Sequence, residues 1–408
     1  VIEVVGVGAS GLESLGLREW RLVDEAEVVV GGARHLAMLD GREGVERVPW
    51  PSPLKPGLDE LVPRLEGRRA VVLASGDPLI SGVGTTLLDA LGRHAVRIHP
   101  TVSSVSLARA RMGWSAEESD LVTLVGRDLD RLRRDLSPRA RLIVLSTGDD
   151  APHVARLLVE EGYAASRLTV LGNLGTPEES RTDGDAGSWA DRPTPRLHLL
   201  CIECRPDPDT SPRALGPGLD DTAYEHDGQL TTRIARSAAL AHLAAQPGDL
   251  MWDLGAGAGS VGIEFARQHP RNIVHAVERD PERAERIRRN ARRLGVPGLI
   301  VHEGSSGDVV ADLPTPDAVF VGGGATAGLV DRCWAALAPN GRLVVHGVTL
   351  ETELLLHGAR IRHGGRMSRI AVEELEPIGS HTAWSRAGSV IQWFVEKPVA
   401  QSSPHEPS

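Results

Sequence analysis

Trp252-Asp253-Leu254-Gly255-Ala256-Gly257-Ala258-Gly259-Ser260-Val261-Gly262 runs from an apolar strand pattern through a glycine turn into a helical pattern. Glycines at alternate positions let the backbone take positive φ and come within contact distance of a ligand. The helix that follows turns free N–H groups and the positive end of its dipole toward that turn. Roughly 20 residues on, Glu278 closes the next strand pattern, where a carboxylate can accept both hydroxyls of a ribose. Turn, strand context and acidic residue together point to an adenosine-containing cofactor. A dinucleotide fold wants G-x-G-x-x-G, with the third glycine packing helix on strand. Here the spacing is G-x-G-x-G, introduced by Asp253, and Gly262 fits the third position only loosely.

The run Asp253-x-Gly255-x-Gly257-x-Gly259 resembles the Asp-x-Gly-x-Gly-x-Gly motif of class I S-adenosyl-L-methionine (SAM) methyltransferases. Glu303-Gly304-Ser305-Ser306 follows the next strand pattern, where such enzymes contact adenine. The resemblance implies a SAM site at Asp253, Gly255, Ala256, Gly257, Ala258, Gly259, Glu278, Ser305 and Ser306, with Thr231 on the entering helix. Around the motif the patterns alternate: helix 231–245, strand 249–254, helix 260–268, strand 272–277, helix 281–294, and strands 299–302, 318–321 and 343–346. A helix at 326–337 separates the last two, and 369–374 with 389–395 read as a closing antiparallel pair.

The preceding half also alternates strand and helix patterns. Apolar runs occur at 1–7, 27–30, 70–74, 96–98, 121–125, 142–145, 168–171 and 197–202, and helical patterns at 83–91, 104–112 and 152–160. Gly6-Val7-Gly8-Ala9-Ser10-Gly11 follows the first strand; taken alone, it is a tight strand–helix turn. Ala74-Ser75-Gly76-Asp77-Pro78, Val102-Ser103-Ser104 before a helix, and Asn173-Leu174-Gly175-Thr176-Pro177-Glu178-Glu179 accompany it. This combination resembles the tetrapyrrole methylase family, which binds SAM in a cleft between two α/β subdomains. The resemblance implies a second SAM site at Gly6, Gly8, Gly76, Asp77, Ser103 and Ser104.

The expected architecture is therefore α/β throughout: a tetrapyrrole methylase fold of two α/β subdomains, then a class I Rossmann-like methyltransferase domain. That fusion, with Gly262-Ile263-Glu264-Phe265-Ala266-Arg267 and Gly364-Gly365-Arg366-Met367-Ser368-Arg369-Ile370, resembles the precorrin-6Y (6B) C5,15-methyltransferases of cobalamin biosynthesis. It implies two SAM-dependent methylations of one corrinoid precursor, at C5 by the first half and at C15 by the second. The second half is also expected to release the C12 acetate as carbon dioxide, giving precorrin-8X. The chain departs from the family in two places. The usual Gly-Pro-Gly is here Gly8-Ala9-Ser10, and the Lys and Glu usual on the helix entering the second domain are absent from Thr231-Thr232-Arg233-Ile234-Ala235-Arg236, which keeps Thr231 and Arg236. The first departure leaves open an alternative in which only the C-terminal site of a SAM methyltransferase is active.

The 408 residues suit two domains, expected at 1–204 and 221–400, with a proline-rich linker at 205–220 and a disordered tail at 401–408. A formal net charge of −10 argues against a whole-surface affinity for nucleic acid. No apolar run is long enough to span a membrane, and Val1-Ile2-Glu3-Val4-Val5 reads as a strand, so a cytoplasmic enzyme is expected. The tetrapyrrole methylase fold commonly dimerises, so a homo-oligomer is expected by resemblance alone. Cys201-Ile202-Glu203-Cys204 has metal-like spacing, but residues three apart in a strand face opposite sides, so no metal site is expected. A polycarboxylate substrate wants arginines, and Arg236, Arg366 and Arg369 are the candidates. The sequence nominates no catalytic side chain, consistent with a nucleophilic macrocycle.

Overall fold

Ile2-Glu3-Val4-Val5-Gly6-Val7 forms β1 (Ile2–Val7), whose valines are buried on both faces of a parallel sheet. The computed structural model describes residues 1–189, 192–385 and 388–399. The first unit comprises Val1–Leu129 and Ser137–Thr210, and the second Asp130–Leu136 with the residues from Ser211 on. In the first unit β1 is followed by β2 (Val28–Gly31), β3 (Glu46–Pro49), β4 (Ala70–Ser75) and β5 (Val96–His99). They assemble in the order β3-β2-β4-β1-β5, all parallel. One face packs Val4, Val28 and Val72 against Leu58, Leu61 and Leu87; the other packs Val5, Val29 and Leu73 against Leu39. Burial on both sides is why these strands read as unbroken apolar runs.

The second sheet of this unit holds β6 (Asp120–Thr123), β7 (Arg141–Thr147), β8 (Arg167–Gly172), β9 (Ser180–Asp185) and β10 (Leu197–Glu203). Its order is β6-β7-β10-β8-β9, parallel only between β6 and β7. The helix Ser104–Met112, opened by the Val-Ser-Ser run, lays Val105 and Ala108 on Ile143, Leu171 and Leu199 of this sheet. In this unit, strands β3 and β9 are the two the sequence patterns miss. Both are edge strands, and Ser180-Arg181-Thr182-Asp183-Gly184-Asp185 has no apolar residue to show a period.

The second unit is built on β11 (Leu250–Leu254), β12 (Ile273–Glu278), β13 (Ile300–Glu303), β14 (Ala318–Val321), β15 (Arg342–Gly347), β16 (Arg366–Ile370) and β19 (Val390–Glu396). A two-stranded hairpin, β17 (Leu375–Ile378) with β18 (His381–Trp384), lies between the last two. The order β13-β12-β11-β14-β15-β19-β16 is parallel except for β19, which runs antiparallel to both neighbours. The closing pair thus exists, with its first strand three residues earlier than the pattern suggests. The helix Leu350–His363 has no counterpart among the sequence patterns, because exposed Leu350, Leu354 and Ile361 blur its apolar stripe.

The proline-rich stretch is fastened by backbone and side-chain hydrogen bonds rather than left slack. Asp207 N–H and the Thr210 hydroxyl donate to the Gly162 carbonyl, and the Asp207 carboxylate accepts from Ala164 and Ala165. Farther on, Gly218 and Leu219 donate their N–H groups to Glu264. Burial pushes the Cys201 and Cys333 thiols up to about 12, so both stay protonated. Among the described residues no helix is long and apolar enough to cross a membrane, and no His/Cys/Asp/Glu group could hold a metal. The expected tail at 401–408 lies outside the described residues.

Candidate cofactor sites

At the carboxyl ends of β1, β2 and β4 the first unit opens a cavity of about 500 Å³. Carboxyl edges of parallel sheets are where α/β folds take ligands, because loops and helix starts converge there. Gly8, Gly76, Asp77, Ser103 and Ser104 line it. Gly6 serves differently. A Cβ on it would stand 1.9 Å from the Gly76 carbonyl oxygen, so its bare Cα lets the Ser-Gly-Asp-Pro loop close against β1. Gly8 N–H donates to Ser14 Oγ at 2.7 Å, and Gly8 and Ala9 both remain on the wall despite the Ala9-Ser10 departure. Asp77 Oδ1 accepts from Leu79 N–H at 2.9 Å, bracing its own loop. Ser103 caps its helix, accepting from Ser106 N–H at 3.1 Å. The remaining wall is mainly apolar, including Leu73, Ile80, Leu107, Leu145 and Leu199.

In the second unit Gly255, Gly257 and Gly259 all adopt positive φ. A Cβ on Gly255 would lie 2.6 Å from the Gly323 carbonyl oxygen of the Gly322-Gly323-Gly324 loop after β14. Glu278, 6% exposed, accepts from Gly257 N–H at 2.9 Å and Asp280 N–H at 3.1 Å. Each oxygen keeps a lone pair for a further donor, so the carboxylate fits a ribose diol. Gly304 N–H donates to the Glu278 carbonyl, which brings Ser305 and Ser306 beside the same strand end. Gln229 O lies 3.6 Å from where a Gly257 Cβ would be, so the chain leading to Thr231 passes next to the turn.

Three expected site residues sit elsewhere. Asp253 is 1% exposed and lies behind the turn, where Oδ2 accepts from Gly262 N–H at 2.8 Å and Oδ1 has no partner. Burial pushes its carboxyl up to about 7, against the pull of the Gly262 N–H, and Glu278 adds to the rise. It braces the helix start instead of facing a ligand. Ala258 is buried too, with its carbonyl accepting from Asn290 Nδ2. Arg236 corrects the expectation most sharply: it is fully buried and its donors are engaged. Nε reaches Glu264 at 2.5 Å, Nη1 reaches Asp221 and the Thr231 carbonyl, and Nη2 the Leu219 carbonyl. Tyr224 OH also donates to Glu264, so this network pins residues 218–231 onto the helix Ser260–Gln268. Four of its five N–H donors are spent inside the protein, and full burial keeps it from a substrate.

Arg366 and Arg369 meet at a second cavity of about 560 Å³, together with Arg360, Ser368 and Glu353. Arg369 donates to Glu353 at 2.7 Å. In sheet register Leu254 aligns with Val321, Val345 and Met367, and Arg369 stands two residues farther toward the edge bearing the glycine turn. Four strand spacings, about 19 Å, separate it laterally from β11.

Residues 1–189 match the model of the tetrapyrrole (corrin/porphyrin) methylases, and residues 222–397 that of a precorrin methyltransferase domain. A precorrin-6Y C(5,15)-methyltransferase (decarboxylating) of a Sinorhizobium species is 41% identical over 394 residues, 96% of this chain and 95% of that protein. The chain belongs to the precorrin-6Y C5,15-methyltransferase family. Shorter relatives match parts of it. A cobalt-precorrin-7 C(5)-methyltransferase of Salmonella typhimurium is 32% identical, over 44% of this chain and 88% of that protein. A probable cobalt-precorrin-6B C(15)-methyltransferase (decarboxylating) of Saccharolobus solfataricus is 27% identical, over 33% and 72%.

Sequence reasoning missed residues that this member of the family brings to its cavities. Arg360 joins Arg366 and Arg369 only because the helix Leu350–His363 packs beside β16. Arg34 and His35 reach the first cavity because β2 and β4 are neighbours, which puts the short helix after β2 against Ser75. The Gly31-Gly32-Ala33-Arg34-His35 run after an apolar strand was the available signal.

Proposed function

We propose that the chain methylates precorrin-6B at C5 and C15, using SAM at one site in each unit, and releases the C12 acetate as carbon dioxide to give precorrin-8X. The supporting observation is that the chain holds a largely apolar cavity at a parallel sheet edge in its first unit and a glycine turn with its acidic partner in its second. Bound SAM supplies an electrophilic methyl group on a sulfonium whose charge disperses as the methyl leaves. Such a step gains most from alignment and from exclusion of water. In the first unit Leu73, Ile80, Leu107, Leu145 and Leu199 keep water from the cavity, while the Gly76-Asp77 and Ser103-Ser104 segments hold the cofactor. In the second, Glu278 accepts the ribose hydroxyls, Gly255-Ala256-Gly257 lets the cofactor approach the backbone, and Ser305 and Ser306 flank the adenine.

The nucleophile is the macrocycle itself, so neither unit needs an activated side chain. For decarboxylation, the electron pair of the breaking carbon–carboxylate bond passes into the conjugated ring. Arg360, Arg366 and Arg369 receive peripheral carboxylates of the substrate in the second unit, through paired N–H···O contacts that a guanidinium forms readily. Arg236, fully buried in its network with Glu264 and Asp221, is excluded from that set. The test is product analysis after incubating the protein with precorrin-6B and excess SAM. The expected product carries two added methyl groups and lacks one carboxyl. Recovery of precorrin-6B at unchanged mass would contradict the proposal.

A further inference from the structure

Among the described residues, the wall of the first cavity carries one arginine, Arg34, and one carboxylate, Asp77, set in an otherwise largely apolar lining. Arg34 is exposed and reaches across from the short helix after β2, Ala33–Ala37, to the end of β4. There Nη2 donates to Ser75 Oγ at 3.1 Å. Ser75 Oγ also lies 3.3 Å from His35 Nε2. His35 is 8% exposed, and burial first, then the Arg34 charge, lower its pKa to about 4. It is therefore neutral at physiological pH. Ser75 Oγ has two acceptor lone pairs and one proton, so it can accept from Arg34 and share a second hydrogen bond with Nε2 of the neutral His35 ring at the same time. The three side chains form a contiguous chain in which buried His35 braces Ser75, and Ser75 holds one arm of the guanidinium. The hydrogen bond to Ser75 occupies one of five guanidinium donors, and the forked face stays open to a ligand.

We propose that Arg34 is the carboxylate anchor of the first cavity, with Ser75 and His35 as its positioning residues. This rests on the reading that the first unit methylates a tetrapyrrole with SAM. Both reactants of that step carry carboxylates: the methionyl end of the cofactor and the acetate and propionate arms of the macrocycle. A guanidinium fork pairs with either in bidentate fashion, and in an apolar surround the contact is stronger than in open water. Asp77 on the same wall repels a carboxylate and favours an ammonium or sulfonium, so Arg34 marks the point at which an acidic group is accepted.

The experiment uses the full chain, following C5 methylation of precorrin-6B while varying SAM and precorrin separately, with C15 methylation and carbon dioxide release as internal controls. Arg34→Gln is expected to raise one KM about tenfold or more, to change kcat by less than about twofold, and to leave both controls unaltered. A rise in the KM for precorrin assigns the bound carboxylate to the tetrapyrrole; a rise in the KM for SAM assigns it to the cofactor. Arg34→Lys, keeping the charge without the fork, should recover part of the loss. Ser75→Ala should shift the same KM by a smaller factor and add nothing to Arg34→Gln. Both KM values within about twofold of wild type in Arg34→Gln would overturn the assignment. A wild-type chain that transfers no C5 methyl group would instead overturn the reading on which it rests, and the assignment with it.

Discussion

Gly6→Ala is expected to abolish methyl transfer by the first unit while the second continues to work. The added Cβ would stand 1.9 Å from the Gly76 carbonyl oxygen and 3.0 Å from Thr101 N, both backbone atoms. Neither can rotate aside, so strand or loop must move by about 1 Å, a displacement that overpacked sites typically accommodate at about 1–3 kcal/mol or more. Gly76 N–H donates to the Val7 carbonyl at 2.8 Å and Thr101 N–H to the Gly76 carbonyl, so the shift spreads into the Ser-Gly-Asp-Pro loop and toward the helix start at Ser104. Misplacement on this scale can lower methyl transfer about 100-fold even if the cavity still forms. With precorrin-6B as substrate, the product should lack the C5 methyl group, with the second unit's chemistry measured alongside. Full C5 methylation by Gly6→Ala would contradict the role given to this close approach.

Raising the pH from about 4 to 7 should weaken the structure around the second glycine turn, and Asp253→Asn should remove that dependence. Asp253 is buried with one oxygen unpartnered, and its pKa rises from 3.8 to about 7 on folding. The folded state therefore binds this proton more tightly than the unfolded chain. The resulting stability is fully present below the unfolded value and is lost progressively as pH climbs toward about 7. At 1.36 kcal/mol per pKa unit the loss is on the order of 4 kcal/mol. Hydrogen exchange of peptides spanning residues 250–268, corrected for the intrinsic pH effect, reads it in the intact chain without ligand. An asparagine still accepts from Gly262 N–H but does not titrate, so its protection should be flat with pH. Its amide donors in place of the unpartnered oxygen would add a constant cost of about 1–3 kcal/mol. An equal slope in both proteins would show that the proton is bound elsewhere.

The parts of the fold legible in the sequence are those whose period comes from burial. β11, the turn and the helix Ser260–Gln268 stand out because strand, glycines and helix follow in unbroken order, each with a buried face. β9 and β3 do not, since edge strands made of polar residues have no such period. Candidate residues divide along a different line. Glycines are legible because the backbone conformation that needs them is local. Arg236 misleads because its fate depends on Glu264, 28 residues away, and on the carbonyls of Leu219 and Thr231. Arg34 stays hidden for the converse reason: it meets Ser75 only where β2 and β4 become neighbours. Asp253 keeps its place in the motif, yet the same glycine turn that opens toward a ligand turns the carboxylate into the core. Spacing shows that such a residue matters to the turn, and packing decides which way it points.

The central claim is that two methyl-transfer sites work on one chain, and the most direct measurement is the binding stoichiometry of S-adenosylhomocysteine by equilibrium titration of the intact protein. Two equivalents per chain are expected, one lost in Gly6→Ala and the other in Glu278→Ala. A single equivalent, untouched by Gly6→Ala, would contradict the account and leave the first unit without a cofactor of its own.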